Sequence, residues 1–157
     1  MSVDAKPVRV KFSQLVVYFF LVGLVKPTSV WSADRSRDGL VALYDFHLAK
    51  GSIVKDRSGV GKPLDLKIEN TKNVRRTKGT LEVCGKTLIH SGKPATKIVN
   101  AVRRSGEITI EAWVRPANSK QDGPARMVTL SGGSSERNCT LGQEGDKVDV
   151  RLRTIKT

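Results

Sequence analysis

The stretch Gly106-Glu-Ile-Thr-Ile-Glu-Ala-Trp-Val-Arg-Pro116 decides the reading of the fold. Ile108, Ile110, Ala112 and Val114 fall on one face of an extended chain, and Glu107, Thr109, Glu111, Trp113 and Arg115 on the other. A strict period of two, rich in β-branched residues, is the pattern of a β-strand. Pro116 has no N–H for a sheet ladder and closes it. Trp113 lies opposite the Ile row, so both faces carry apolar surface, which places this strand inside a sandwich.

The segments on either side read as further short strands. Gly39–Phe46 alternates through Leu40, Ala42, Tyr44 and Phe46, and Leu64–Ile68 through Leu64, Leu66 and Ile68. Asn70–Gly79 reads as a basic loop, followed by a strand at Thr80–Cys84. Pro94–Ser105 fits one or two helical turns, with Pro94 at the start, an Ile98, Val99 and Val102 stripe, and Gly106 at the end. Past Pro116, Ala117–Pro124 reads as a polar loop and Ala125–Ser131 as a strand, with a turn at Gly132–Ser135. Asn138–Gln143 and Lys147–Thr154 form a hairpin across Glu144-Gly145-Asp146. Short strands at regular spacing with glycine-rich turns predict an all-β fold, an antiparallel jelly-roll β-sandwich.

The first residues carry a different signal. Lys6, Arg9 and Lys11 precede the unbroken apolar run Leu15–Val25, which Pro27 ends, and Val30-Trp31-Ser32 offers a cleavage site. Such a run suits the core of an export signal and falls short of the ~20 residues needed to span a bilayer. Residues 1–32 are therefore expected to be a signal peptide, the alternative being an uncleaved N-terminal anchor, 33–38 a linker and 39–157 the domain, with no stable membrane span after cleavage. The expected location is periplasmic, cell-surface or secreted.

The chain has 28 Lys+Arg against 15 Asp+Glu, a formal net charge of +13. That balance favours acidic partners such as anionic polysaccharide or cell-surface polymer. The cations are scattered, however, and no aromatic residues interleave with them as in a base-stacking surface, which argues against specific nucleic-acid binding. Gly59-Val-Gly-Lys62 is not a phosphate loop, because Pro63 follows the lysine and Asp56 stands where the first glycine belongs. Cys84 and Cys139 match no metal-ligand spacing. In an oxidising compartment they either pair as a disulfide or remain separate buried thiols.

Taken in order, Val41-Ala-Leu-Tyr-Asp-Phe46, Val54-Lys-Asp-Arg-Ser-Gly-Val-Gly61 and Ser105–Pro116 resemble a bacterial laminin-G-like (LamG) domain of the concanavalin A-like lectin/glucanase superfamily. The resemblance runs from about Gly39 to Thr154 and is to the N-terminal two-thirds of that domain, so an incomplete sandwich is expected. It implies a non-catalytic binding or adhesion module for glycans, with Trp113 and Tyr44 as candidate sugar platforms. It also implies Ca²⁺ held by Asp56, in its glycine-rich turn, with Asp45 nearby. The alternative for Asp56 is a turn cap that bonds its own backbone. Another reading is a structural or protein-interaction module of a larger surface protein. Glycoside hydrolysis is the third, since Glu107 and Glu111 stand where glucanases of this superfamily carry a retaining pair. Thr109, however, replaces the acid found between them.

Overall fold

The computed structural model describes residues 10–18, 37–132 and 136–153, with only the backbone for 10–18 and 121–124. The protein is mostly β, arranged as small antiparallel sheets, with one α-helix among the described residues. The largest sheet has five strands: β1 (Val10–Tyr18), β2 (Ala42–Tyr44), β5 (Val74–Thr77), β6 (Thr80–Val83) and β8 (Thr109–Arg115). A second sheet joins β3 (Ile53–Val54), β4 (Leu66–Ile68) and β7 (Ile89–His90). A third joins β9 (Gln121–Ser131), β10 (Arg137–Gly145) and β11 (Lys147–Leu152) in the order β11-β10-β9.

β1 organises the five-stranded sheet. It pairs with β8 along one edge, from Lys11↔Arg115 to Tyr18↔Thr109. Its other edge takes β6 at residues 10–12 and β2 at residues 15–17, so these two short strands lie end to end against it. This strand includes part of the segment expected to be an export signal. The rest of that segment, the linker residues before Arg37, the Gly133–Ser135 part of the expected turn and the residues after Arg153 lie outside the described residues.

The core gathers where the first two sheets and the helix α1 (Thr96–Ser105) meet. Ala42, Leu81, Ile68 and Val54 are at most 1% exposed, and Val41, Tyr44, Phe46, Leu64 and Ile98 complete the buried cluster. Ile98, Ala101 and Val102 form the helix stripe that meets it. Gly106 ends the helix at φ 73, a left-handed conformation that glycine adopts without a Cβ clash, and its N–H bonds Val102 O at 2.8 Å. Leu130 of β9 packs against the same cluster and links the third sheet to it.

Several elements differ from the sequence reading for identifiable reasons. The strand expected over Gly39–Phe46 is only Ala42–Tyr44, because Gly39 and Phe46 both take positive φ. Phe46, at φ 52, is a non-glycine residue in the left-handed region, held there while its ring is buried. The basic loop expected over Asn70–Gly79 contains a 3₁₀ turn (Thr71–Asn73) and the strand β5. Arg75 there lies opposite Glu82 and pairs with it at 2.9 Å. The polar loop expected over Ala117–Pro124 becomes strand from Gln121 onward. Pro124 is tolerated because β9 is an edge strand.

Two outcomes follow from this arrangement. Replacing Leu81, which has no exposed surface, with Ala should destabilise the protein by about 2–5 kcal/mol in denaturant titration. The full chain should melt cooperatively, and a chain that starts at Ala33, which lacks β1, should not. An unchanged melt for that shortened chain would mean that β1 is no part of the native sheet.

Candidate functional site

The best-organised group of polar side chains surrounds Asp56, in the turn between β3 and β4. Its carboxylate is buried, with its side chain 1% exposed. Four donors reach it: the N–H groups of Leu43 (3.2 Å) and Ser58 (3.0 Å) on Oδ1, and the N–H of Leu64 (2.9 Å) and the Lys97 ammonium on Oδ2. Lys97 Nζ also donates to Ser58 Oγ at 3.2 Å and to the Val60 carbonyl at 3.0 Å. Asp65 extends the network, accepting from Asp56 N at 3.0 Å and from Lys55 Nζ at 2.7 Å. Burial raises the Asp56 pKa, but the Lys97 ammonium and the N–H donors outweigh it and hold the carboxyl below its usual value.

This geometry bears directly on calcium. Asp56, Ser58 and Val60 supply the carboxylate, hydroxyl and carbonyl oxygens that a hard cation selects, and the cation they hold is an ammonium. Asp56 also caps its own turn through Ser58 N–H, the alternative role read from the sequence. Asp45 stands apart, accepting from His47 N at 3.2 Å and lying 3.4 Å from Arg57 Nη1. Among the described residues, no group of three or more His, Cys, Asp or Glu side chains gathers as a metal centre.

The candidate sugar platforms are placed differently from each other. Tyr44 is 3% exposed, and its hydroxyl donates to the Leu64 carbonyl at 2.6 Å. Burial pushes its phenol well above the usual range, with the Asp56 and Asp65 charges adding to the effect. A ring in that position has no face to offer a sugar and serves as core. Trp113 is half-buried on β8. Thr109, Glu111 and Arg115 share its face by strand alternation, the first two half-buried and Arg115 exposed.

Glu107 is not on that strand. β8 begins at Thr109, and Glu107 sits exposed just beyond the helix cap, its N–H bonded to Ser105 Oγ at 3.1 Å. The alternation that would set it beside Glu111 therefore does not reach it. The two cysteines are free thiols: Cys84 follows β6, and Cys139 is buried in β10 of a different sheet. The disulfide considered from the sequence is not formed. Burial raises the Cys139 thiol pKa, which suits an inert core residue.

Two residues not singled out from the sequence matter here. One is Lys97, a single lysine in an amphipathic helix. The other is Arg76, whose Nη1 bonds the carbonyls of Gly51 and Ile53 at 2.8 Å and Lys50 at 3.2 Å. It borders an open cavity of about 380 Å³ that Lys50, Ser52 and Thr71 also line. Their only sequence signal was membership of a cation-rich chain.

The Asp56–Lys97 pair makes a testable claim. Breaking a buried pair from one side costs about 3–5 kcal/mol, so Lys97→Met should lower the melting midpoint by about 10 °C. The native Asp56 pKa lies below its unfolded value, so its stabilisation is present above about pH 4 and is lost as pH falls through the native value. The gap in midpoint between wild type and Lys97→Met should therefore narrow as pH falls through the carboxylate range. Millimolar Ca²⁺ should leave the wild-type midpoint unchanged, because the ammonium already holds the oxygens.

Compared with protein-family profiles, curated proteins and solved structures, the chain matches none.

Proposed function

We propose that this protein is a non-catalytic carbohydrate-binding module, a jelly-roll sandwich of the LamG kind, with its ligand face on β8. The observation that carries the reading is the row Thr109, Glu111, Trp113 and Arg115 on one face of that strand. It sets an aromatic ring beside a hydroxyl, a carboxylate and a guanidinium. A sugar has apolar C–H faces that stack on an indole and hydroxyls that bond polar groups on either side. Arg115, next to the ring and exposed, suits a carboxylate or sulfate substituent on that sugar. The net charge of +13 would concentrate such anionic polymers near the surface.

A binding role is favoured over hydrolysis by the placement of Glu107. A retaining pair needs carboxyl groups about 5–5.5 Å apart on a rigid support. Here one candidate is on the strand, and the other is exposed on the turn before it.

The test is isothermal titration with neutral and anionic polysaccharides. Trp113→Ala should weaken binding about tenfold, the equivalent of ~1.4 kcal/mol, while Trp113→Phe keeps most of the stacking. Arg115→Ala should weaken only the anionic ligands and flatten their salt dependence. Binding to none of the polysaccharides, or binding indifferent to Trp113→Ala, would overturn the proposal.

A further inference from the structure

The edge strand β11 presents an unusual surface for a highly charged protein. Val148, Val150 and Leu152 alternate along it and are 68%, 70% and 61% exposed, on the sheet face that carries the buried Cys139 but beyond its cover. Among the described residues, β11 pairs only with β10. The pairing begins at Glu144↔Lys147 and continues through Asp149 and Arg151, and Arg153 N–H then bonds Asn138 O at 2.8 Å. In an antiparallel ladder, backbone groups turn to alternate sides residue by residue. The odd-numbered residues therefore bond β10, and the N–H and C=O groups of Val148, Val150 and Leu152 face outward. Among the described residues, an apolar row and an unpaired ladder coincide on this edge.

We propose that this edge pairs with a second copy of the same chain, antiparallel and centred on Val150. The sequence Lys147-Val-Asp-Val-Arg-Leu152 is self-complementary in that register. Val150 meets Val150 of the partner subunit, and Val148 meets Leu152 of the partner subunit. Their backbone groups face away from β10, so they form the hydrogen-bonded pairs. Their side chains line up as one continuous apolar row across the two strands. On the opposite face, Asp149 meets Arg151 of the partner subunit at the non-hydrogen-bonded position, where strands come closest, about 4.5 Å between Cα atoms. The two-fold axis repeats that pair as Arg151 against Asp149 of the partner subunit.

The charges for this arrangement are already in place. Arg151 Nε lies 2.8 Å from Asp149 Oδ2 within the strand, and Arg151 Nη2 lies 3.8 Å from Glu144. Dimerisation adds a second acid and a second base to this group, in alternation. A parallel arrangement, or a shift of one residue, would put apolar side chains opposite charged ones. The like charges of Lys147 and Arg153 of the partner subunit, at the ends of the pairing, together with the net charge of +13, oppose the contact and keep it reversible. An exposed apolar edge left open invites unlimited strand addition, whereas a two-fold pairing consumes it in one closed contact.

Sedimentation equilibrium of the full chain should show a reversible dimer of twice 17.2 kDa, with a dissociation constant in the micromolar range or weaker. Val150→Lys puts two ammonium groups on the axis and should weaken the dimer more than about tenfold. Asp149→Arg alone should weaken it too, by opposing two arginines. The double change Asp149→Arg with Arg151→Asp restores the complementary pairs and should recover most of the affinity. If Val150→Lys fails to fold by circular dichroism, the comparison of the single and double charge variants decides alone. Three results would overturn the proposal: a monomer at every concentration, a dimer indifferent to Val150→Lys, or a double variant that associates no better than Asp149→Arg.

Discussion

A buried carboxylate must be met by donors or it will not stay ionised, and Asp56 imposes that requirement on three separate parts of the chain. Leu43 N–H comes from β2, Ser58 and Leu64 N–H from the turn itself, and the Lys97 ammonium from the helix. Each donor fixes the position of the element that carries it. Tyr44 depends on the same arrangement, since its hydroxyl bonds the carbonyl of Leu64, whose N–H serves Asp56. The glycines at 59 and 61 take φ 73 and 56 and let the turn curl around the carboxylate. The apolar cluster supplies bulk cohesion, and the Asp56 network sets how helix, turn and sheet sit relative to one another.

The covering of the sheets is uneven, and the functional proposals follow from that unevenness. The region of β2, β3, β4 and β6 with α1 contains the fully buried side chains Ala42, Val54, Ile68 and Leu81. β8 is half-buried along most of its length although its sequence reads as a strand meant to be covered on both faces. β11 is more open still. Apolar and aromatic side chains in partly covered positions are where a soluble protein meets something else.

Local patterns were legible in the sequence where a single period or a single punctuating residue governs them. The alternation of Thr109–Arg115, the helix ending at Gly106 and the hairpin closing at Gly145 all have that character. Val74-Arg-Arg-Thr77 was not legible, because its arginines read as solvated loop until Glu82 and the carbonyls of Lys50, Gly51 and Ile53 are seen to receive them. Residues 10–18 carried two meanings at once, since an apolar run after positive charges satisfies both an export signal and an inner strand. Of the candidate site, Asp56 was visible as a turn residue. Its partner Lys97 lies 41 positions away and is one of 28 cations, so nothing local could identify it. Tyr44 misled for the opposite reason: an amphipathic ring looks the same in sequence whether it lines a cleft or a core.

The position of β1 also sets a timetable. Its partner β8 follows about 100 residues later in the chain, and loop-closure entropy makes such contacts slow to form. During synthesis β1 emerges well before β8 and waits without its main neighbour until that strand has been made. The β10–β11 hairpin, closed by a two-residue turn, assembles on its own as soon as it appears. The hairpin thus needs only a local turn to pair, whereas β1 needs a strand about 100 residues further along the chain. Throughout that interval the apolar N-terminal segment is accessible to any cellular machinery that binds nascent chains.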